Sequence, residues 1–435
     1  MGEVSGLELK DKMFDKAGSV IIWLLAVFPL GIAVVKSWAS ASFVIIALGC
    51  VFLIRRKKAI PSTVLLRGFK LGLLLLLVAT LLSWVHVDDF SYSRVRFEKI
   101  ATLNVAFLLI PGFLRLPGEW YRKLWWGFVC SGPLMLVVAM HAVWIRHLPR
   151  AQGYYHPIIF GDLAMYVALI LLGGLVSGMV GKGNCKEPWL VVASMVSAFV
   201  AATLSQTRGA WAAFPLVMFL LLWLYRRKLK LRMLVVAGGV FLVVVLGLPQ
   251  LFPQSIGRQA ERTLQSVESY LDGSQPNTSL GQRFMLWEIA FDVWKHHPLV
   301  GTGLGDFPLE VESRMRSGET ELDYAWTHAH SIFAEALAVM GGLGLVTMLL
   351  AVFYFPFRFF VKGFNLLAES GGIERFVPVA GLITVVAFFA FGLSEAWLAR
   401  SVFVHSYLIF LSVFIAATLL LLEQQQTTTD GEDPR

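Results

Sequence analysis

Long apolar segments alternate with short polar junctions along nearly the whole chain. A helix needs about 20 apolar residues to cross the hydrocarbon core of a bilayer, and fewer where the bilayer thins. Segments of this kind predict twelve membrane-spanning helices, near residues 17–36, 39–54, 70–86, 100–114, 125–145, 157–180, 188–205, 210–225, 232–250, 330–357, 376–396 and 401–422. A single long junction, 251–327, interrupts them. The pattern predicts an all-α polytopic integral membrane protein with one large loop that contains amphipathic helices.

Lysine and arginine positions predict the orientation of these helices, because short cytoplasmic junctions are enriched in both residues. With a cytoplasmic N-terminus, the even-numbered junctions collect the basic runs at 55–58 and 226–232, whereas the odd-numbered junctions carry far fewer. We therefore expect both termini in the cytoplasm and the long loop outside. The predicted organisation is a membrane part with spans 1–9 (1–250), an outer loop (251–327), a membrane part with spans 10–12 (328–422) and a polar cytoplasmic tail (423–435).

Composition supports the membrane assignment and narrows the classes of function. Hydrophobic residues make up 57% of the 435 positions and charged residues 15%, and the mean hydropathy of +0.69 exceeds that of soluble domains. The net charge of +8 follows from the basic junctions, so nucleic-acid binding is not expected. None of the three cysteines lies in an outer junction, and disulfide bonds are therefore not expected. The spans show no internal repeat, which disfavours a repeat-built transporter.

The outer loop contains one segment with a clear helical pattern. Its apolar positions form a predicted stripe that consists of Phe284, Trp287, Phe291 and Trp294. Arg283 extends this stripe and should point towards the protein, where a guanidinium needs an anion. That anion is either part of a substrate or a neighbouring carboxylate such as Asp306 or Glu335. A second helix is predicted at 259–271.

A second arginine lies in a very short outer junction. Arg208 follows the sequence Ser205-Gln206-Thr207, between the seventh and eighth predicted spans. A junction this short holds the guanidinium at the outer membrane surface. The alternative is an arginine that merely extends its charge to the interface.

Two histidines precede the tenth span, at His328 and His330. We expect Thr327 or His328 to cap this helix, and a histidine in its first turn to have a lowered pKa because of the helix dipole. A neutral imidazole can act as a general base. Two alternatives remain: a capping role, or a metal site with His296 or His297 as a third ligand.

A glycine-rich run, Gly301-Thr302-Gly303-Leu304-Gly305, resembles part of a nucleotide-binding loop. The pattern around it does not supply the strand and helix that such a loop requires. We therefore predict a turn, or at most a small anion-binding nest.

Three stretches together resemble the O-antigen ligase and polymerase superfamily of bacterial envelope glycosyltransferases. They are Ser205–Trp211, then Gln282–Trp287 running into His297–Gly303, and finally His328–Phe333 followed by Met340–Leu345. Their order, their spacing and the large outer loop before the last stretch are all similar to the family.

The resemblance implies a GT-C-like membrane glycosyltransferase that uses no nucleotide sugar, no metal and no other cofactor. It implies transfer of a glycan from undecaprenyl diphosphate to lipid A-core at the periplasmic face of the bacterial inner membrane. The family's inward-pointing arginines correspond to Arg208 and Arg283, and its essential histidine corresponds to His330. Ser331 stands where the family often has asparagine. Arginine suits this chemistry because its guanidinium binds phosphate oxygens in a bidentate manner.

Further residues on the outer side are candidates for substrate contacts: Arg400, His328, Trp326, Tyr155, His156 and Asp162. Within the same chemistry, the alternatives to a ligase are an O-antigen polymerase and a protein O-oligosaccharyltransferase. From a different class, the alternative is a lipid-linked glycan transporter or flippase without chemistry of its own.

Overall fold

The computed structural model describes residues 2–179, 186–226, 265, 266, 268, 270 and 277–431. Over these ranges the chain is helical and contains no β-strand. The helices are α1 (Gly2–Gly31), α2 (Trp38–Ile54), α3 (Arg67–Leu82), α4 (Phe90–Thr102), α5 (Ala106–Phe113), α6 (Tyr121–Met140), α7 (Pro157–Ser177), α8 (Lys186–Leu204), α9 (Arg208–Tyr225), α10 (Gly281–His296), α11 (Phe307–Ser317), α12 (Ile332–Met348), α13 (Phe355–Leu366), α14 (Ile373–Gly392) and α15 (Ser401–Gly431).

Eight of the described helical segments are long and apolar enough to cross a membrane, which confirms a polytopic helical protein. They are Asp11–Gly31, Val64–His86, Tyr121–Ile145, Pro157–Ser177, Arg208–Tyr225, Ile332–Leu366, Ile373–Gly392 and Ser401–Thr427. Two shorter apolar helices, Trp38–Ile54 and Pro188–Leu204, coincide with the second and seventh predicted spans. The ninth predicted span, 232–250, lies outside the described residues, as does most of the helix predicted at 259–271. The count of twelve therefore stays a prediction.

The fourth predicted span, 100–114, differs from the structure. It divides into the end of α4, a short 3-10 turn at Leu103–Val105 and the eight-residue helix α5. The sequence pattern missed α4 because this helix is amphipathic rather than apolar, with Arg96 buried and Arg94 exposed. At the other end of the chain, α15 continues to Gly431, beyond the predicted boundary at 422.

Helices α7, α14 and α15 form the centre of the bundle, and most of their residues are buried. Helix α7 packs against α8, α9 and α14, while α15 packs against α14, α5 and α2. Helix α10 lies against α12 and so joins the described part of the long loop to the membrane part. The candidate residues on α7, α9 and α10, together with Arg400 just before α15, therefore belong to one packed unit.

Junctions that were predicted on the same side of the membrane meet at the same end of the bundle. Hydrogen bonds join odd-numbered junctions in the pairs Ser37–Tyr155, Arg150–Ser205 and Lys99–Ala399. Even-numbered junctions meet in the pairs Arg56–Arg115 and Lys58–Leu116. The first set lies at the end that also carries His328 and His330, which we call the histidine end.

Helix α12 is sharply broken at Gly341, which has φ 64° and ψ −166°. Phe333 and Phe353 are 20 residues apart, so a straight helix would separate them by about 30 Å. Their ring centroids lie only 6.0 Å apart. The break therefore folds the first part of α12, which follows His330, back against the residues around Phe353.

A glycine-rich loop fills this break. The amides of Thr302 and Gly303 donate to the carbonyls of Ala338 (3.0 Å) and Val339 (3.3 Å), which the broken helix leaves open. In return, the amides of Gly342 and Leu343 donate to the carbonyls of Pro298 (2.8 Å) and Leu299 (3.1 Å). We call this reciprocal pairing of 298–303 with 338–343 the glycine interlock. It supplies hydrogen-bond partners to backbone groups that the break would otherwise leave unpaired. The glycine-rich run 301–305 therefore has a structural role, because it connects the loop to α12.

Candidate active site

The two histidines lie in a non-helical segment immediately before α12. Ser331 caps the helix, because its hydroxyl accepts from the amide of Ala334 at 3.5 Å. The expectation that Thr327 or His328 would be the cap was wrong. His330 adopts the left-handed conformation, with φ 51°, and its ring lies 4.3 Å from that of His328 and 4.7 Å from that of Trp326 between centroids.

His330 is held in the uncharged form by its surroundings. Burial lowers its pKa to about 3, and the positive charges of Arg283 and Arg400 add to this effect. The direction agrees with the sequence prediction, but the largest cause is burial, and His330 lies before the cap of α12 rather than in its first turn. Nδ1 is buried and hydrogen-bonds to none of the described residues, so Nε2 is the nitrogen that can face an incoming group.

Arg400, from the junction between α14 and α15, reaches His328. Its Nη2 lies 3.2 Å from Nε2 of His328 and its Nε 3.4 Å from Oε1 of Glu395. A guanidinium has only donors, and the amide of His330 also donates to Nδ1 of His328 at 3.3 Å. Both contacts favour an uncharged His328 ring, which accepts at one of its two nitrogens. Burial lowers the pKa of His328 to about 2, and the neighbouring His330, Arg400 and Arg96 side chains act in the same direction.

Arg283 enters the site from α10. One turn further along the same face, the indole Nε1 of Trp287 donates to the carbonyl of Ala329 at 3.0 Å. This bond fixes α10 against the histidine segment. Burial lowers the pKa of Arg283; Glu395 partly offsets this shift and Arg208 adds to it.

Neither carboxylate that was considered as a partner of Arg283 pairs with it. Asp306 accepts from the amides of Asp88 and Asp89, each at 2.9 Å. Glu335 pairs with Arg96. The side chain of Arg283 makes no ion pair and no hydrogen bond with any described residue, and the charges that act on it are those of Glu395, Arg208 and Asp162. The buried stripe of α10 is also shifted from the predicted one, and consists of Met285, Leu286, Ile289, Ala290 and Val293.

Arg208 is the first residue of α9, which begins two residues before the eighth predicted span. The junction is rigid because Arg150 donates from Nε to the carbonyl of Ser205 (2.8 Å) and from Nη2 to that of Gln206 (3.3 Å). Thr207 also donates to the carbonyl of Pro157 at 3.0 Å. Burial lowers the pKa of Arg150, and Arg208 and Arg283 lower it further. Three guanidinium groups therefore share one region.

The candidates on and before α7 lie at different distances from this cluster. Asp162 is fully buried, and none of the described residues hydrogen-bonds to its carboxylate. The carboxylate of Asp162 lies near the start of α9, because a Cβ built on Gly209, the residue after Arg208, would be 3.8 Å from Oδ1 of Asp162. His156 precedes α7 and has a pKa lowered by burial, Arg150 and Arg400. The hydroxyl of Tyr155 accepts from the amide of Ser37 at 3.1 Å.

The metal alternative finds no support in the described part of the chain, where no three His, Cys, Asp or Glu side chains converge. His296 Nδ1 lies 2.9 Å from the carbonyl of Asp292. The ring of His297 lies 5.2 Å from that of His86. Neither contacts the histidine segment.

Sequence reasoning missed Arg150 and Glu395. Glu395 was placed inside the eleventh predicted span, although it is a buried carboxylate that faces Arg400 and whose pKa is raised by that burial. Arg150 was counted only as a charge in an outer junction. The distribution of basic residues could have identified Arg150. Outer junctions contain few arginines and lysines, so an arginine in such a junction indicates a specific local interaction.

The match with known proteins falls on the part of the chain that builds this cluster. Residues 193–349 match a family model described as O-antigen ligase. The matched range includes Arg208, Arg283 and both histidines, while Arg400 lies beyond it. The resemblance that the sequence motifs indicated is thereby confirmed.

Two relatives extend this similarity along the chain. An uncharacterized protein of Haemophilus influenzae is 24% identical over 58% of this chain and 63% of its own length. The chain thus spans less than two thirds of that relative. The O-antigen ligase of Escherichia coli K12 is 22% identical over 78% of this chain and 83% of its own length.

Proposed function

We propose that this protein is an O-antigen ligase that transfers a glycan from undecaprenyl diphosphate to lipid A-core, without a metal ion. The observation that carries the proposal is the histidine segment itself, in which the ring of His330 lies 4.3 Å from that of His328, and Nε2 of His328 lies 3.2 Å from Nη2 of Arg400. The family match and the similarity to the Escherichia coli O-antigen ligase support the same class of reaction.

The arginines are proposed to bind the diphosphate of the donor. Phosphate oxygens need cations that are fixed before the substrate arrives, and Arg208 and Arg283 lie on two separate packed helices. When the bond between the anomeric carbon and the phosphate oxygen breaks, negative charge grows on the leaving diphosphate. Guanidinium groups in place at that point stabilise the transition state more than the ground state.

His330 is proposed to be the general base. An acceptor hydroxyl attacks the anomeric carbon, its proton passes to Nε2 of His330, and undecaprenyl diphosphate leaves with the electron pair of the broken bond. Displacement from the opposite face inverts the anomeric centre. The low pKa of His330 without substrate makes it a weak base, but a bound diphosphate offsets the arginine charges and raises that pKa.

For the membrane arrangement we propose the GT-C-like, twelve-span topology, with 251–327 as the periplasmic loop between the membrane parts 1–250 and 328–422. The site then faces the periplasm of an inner membrane, and both termini, including 423–435, are cytoplasmic. The collection of odd-numbered junctions at the histidine end supports this alternation. Single cysteines at Ser37 and Glu119, in a variant without the native cysteines, test it: a membrane-impermeant thiol reagent should label only the Ser37 position in whole cells.

Deletion of the gene separates the candidate functions. Loss of a ligase leaves lipid A-core without O-antigen, while long chains accumulate on the polyprenyl carrier. Loss of a polymerase leaves single-unit caps, and loss of a transporter leaves the lipid-linked glycan on the cytoplasmic side. A protein O-oligosaccharyltransferase would instead leave lipopolysaccharide unchanged and remove glycan from proteins.

Purified protein tests the chemistry directly, with the lipid-linked donor and lipid A-core in detergent. His330→Ala and Arg208→Ala should each abolish transfer while folding is retained. Matched controls are His296→Ala and Arg146→Ala, which change exposed residues and should leave transfer intact. Normal transfer by either site variant would refute the role proposed for that residue. No transfer by the wild-type protein would count against a ligase and leave the polymerase, the protein O-oligosaccharyltransferase and the transporter as candidates.

A further inference from the structure

A buried ion pair lies directly behind the histidine segment. Arg96 of α4 and Glu335 of α12 are 3.2 Å apart, and their side chains are only 9% and 12% exposed. Removing two charges from water costs several kcal/mol per ion, and such a pair is often no more stabilising than an apolar replacement. Overall stability is therefore a weak explanation for this pair.

Both partners also hold the backbone on either side of His328. Nη2 of Arg96 donates to the carbonyl of Thr327 at 2.6 Å. Oε2 of Glu335 accepts from the amide of Ala329 at 2.6 Å. The pair therefore hydrogen-bonds to the backbone on both sides of His328.

The segment needs such support because no helix or strand supplies its backbone partners. His330, the next residue along, occupies the left-handed region, which is unfavourable for a residue with a Cβ and persists only where the surroundings determine it. The direction of its ring depends on that conformation. Without the bonds to Thr327 and to the amide of Ala329, the segment would keep the bond from Trp287 to the carbonyl of Ala329 but would lose the support on both sides of His328, and the His330 ring could then shift relative to Arg283.

We propose that the Arg96–Glu335 pair is a positioning device that holds His330 in its reactive orientation, an inference that rests on the proposed function. Neither residue contacts Arg208 or Arg283, which are proposed to bind the diphosphate. The charge of Arg96 acts on the neighbouring His328. The pair should therefore govern the rate of proton transfer rather than the affinity for the donor. Misplacement of a catalytic group by about 1 Å costs roughly 100-fold in rate.

The test compares purified full-length variants in the transfer assay. Single substitutions at these positions leave a buried charge without its partner and risk misfolding. The principal variant is therefore Arg96→Met with Glu335→Met, which removes both charges and keeps side-chain length. Arg94→Met is the control, because Arg94 lies on the exposed face of the same helix, paired with Glu98. A conservative variant, Glu335→Gln, keeps an oxygen that can accept from Ala329.

We expect the double variant to melt near the wild-type temperature and to keep the wild-type KM for the donor, with kcat lowered on the order of 100-fold. Glu335→Gln should recover much of that loss, and Arg94→Met should match the wild type. Added to His330→Ala, the double substitution should cause no further loss, because the residue that it positions is already absent.

An unchanged kcat in the folded double variant would overturn the positioning role, and so would a loss confined to KM. If the double variant fails to fold, wild-type kcat in a folded Glu335→Met variant, which cannot accept from the amide of Ala329, would also count against it. Failure of the proposed function looks different: His330→Ala itself would then retain transfer.

Discussion

Substitution of Gly301 by alanine should loosen the glycine interlock. It should thereby separate α10, which carries Arg283, from α12, which follows His330. Gly301 has φ 73°, and a Cβ there would lie 2.5 Å from the amide nitrogen of Met340 and 2.6 Å from the carbonyl oxygen of Ala338. These atoms belong to the backbone of α12 and cannot rotate away. The loop must therefore move as a unit away from the break in the helix.

The expected cost has two parts. Placing a side chain in the left-handed region costs about 1–2 kcal/mol. Separation of the loop from α12 also removes the four hydrogen bonds of the interlock, each worth about 1 kcal/mol. The total is about 5–6 kcal/mol.

Gly318 provides a matched control. It has φ 77°, and a Cβ built there meets nothing within 4 Å. Gly318→Ala therefore carries the backbone strain of about 1–2 kcal/mol without the clash. Thermal unfolding in detergent, followed by tryptophan fluorescence, should give a clearly lower midpoint for Gly301→Ala than for Gly318→Ala.

Transfer activity should follow the same order, because the interlock joins α10, which carries Arg283, to α12, which follows His330. Gly301→Ala should lose most of its activity even below its melting temperature, while Gly318→Ala should keep it. Equal melting midpoints for the two variants would refute the interlock as a stabilising joint. Full activity of a destabilised Gly301→Ala variant would refute its role in aligning the site.

Three further predictions concern the charges of the site. Folding lowers the pKa values of His328 and His330 from a value near 6.5, so their contribution to stability is complete above pH 6.5 and is lost as the pH falls below it. At pH 5.5 the loss in the free energy of unfolding is about 1.4 kcal/mol per histidine. Thermal midpoints of the wild type and of glutamine variants at pH 7.5 and 5.5 measure this loss. A wild-type midpoint that does not fall on acidification would contradict these shifts. Arg150→Met should lower transfer on the order of 10- to 100-fold because it frees the junction that holds Arg208, whereas Arg146→Met should have little effect; equal rates for the two variants would count against the bracing role. Transfer should continue in the presence of a chelator, and loss of activity that zinc restores would instead favour a metal-dependent reaction.

The bilayer explains why the spans were largely predictable. A crossing helix must be apolar over a fixed length, and ten of the twelve predicted segments appear as apolar helices within the described residues. Helix α4 was missed because it lies at the histidine end with one charged face, where that length requirement does not apply. Its Arg96 is buried against Thr327, a contact between residues more than two hundred positions apart.

The candidate site was predicted in part, for two different reasons. Arg283 and Arg208 were found because an arginine directed at the protein, or fixed in a short junction, demands a partner, and the family resemblance added His330. The roles of all three are still proposals. Arg150 and Glu395 were missed because their meaning depends on which junctions meet at the histidine end.

The sequence by itself determined a bundle of apolar helices, the side on which its spare polar residues gather, and the family it resembles, because each of these is written in local composition and short motifs. The tertiary structure alone decided the break at Gly341, the loop that fills it, and the pairing of Arg96 with Glu335. These features arise from backbone and charged groups that must find partners once water is excluded. Which partners they find is fixed by helix packing, and no local pattern records it.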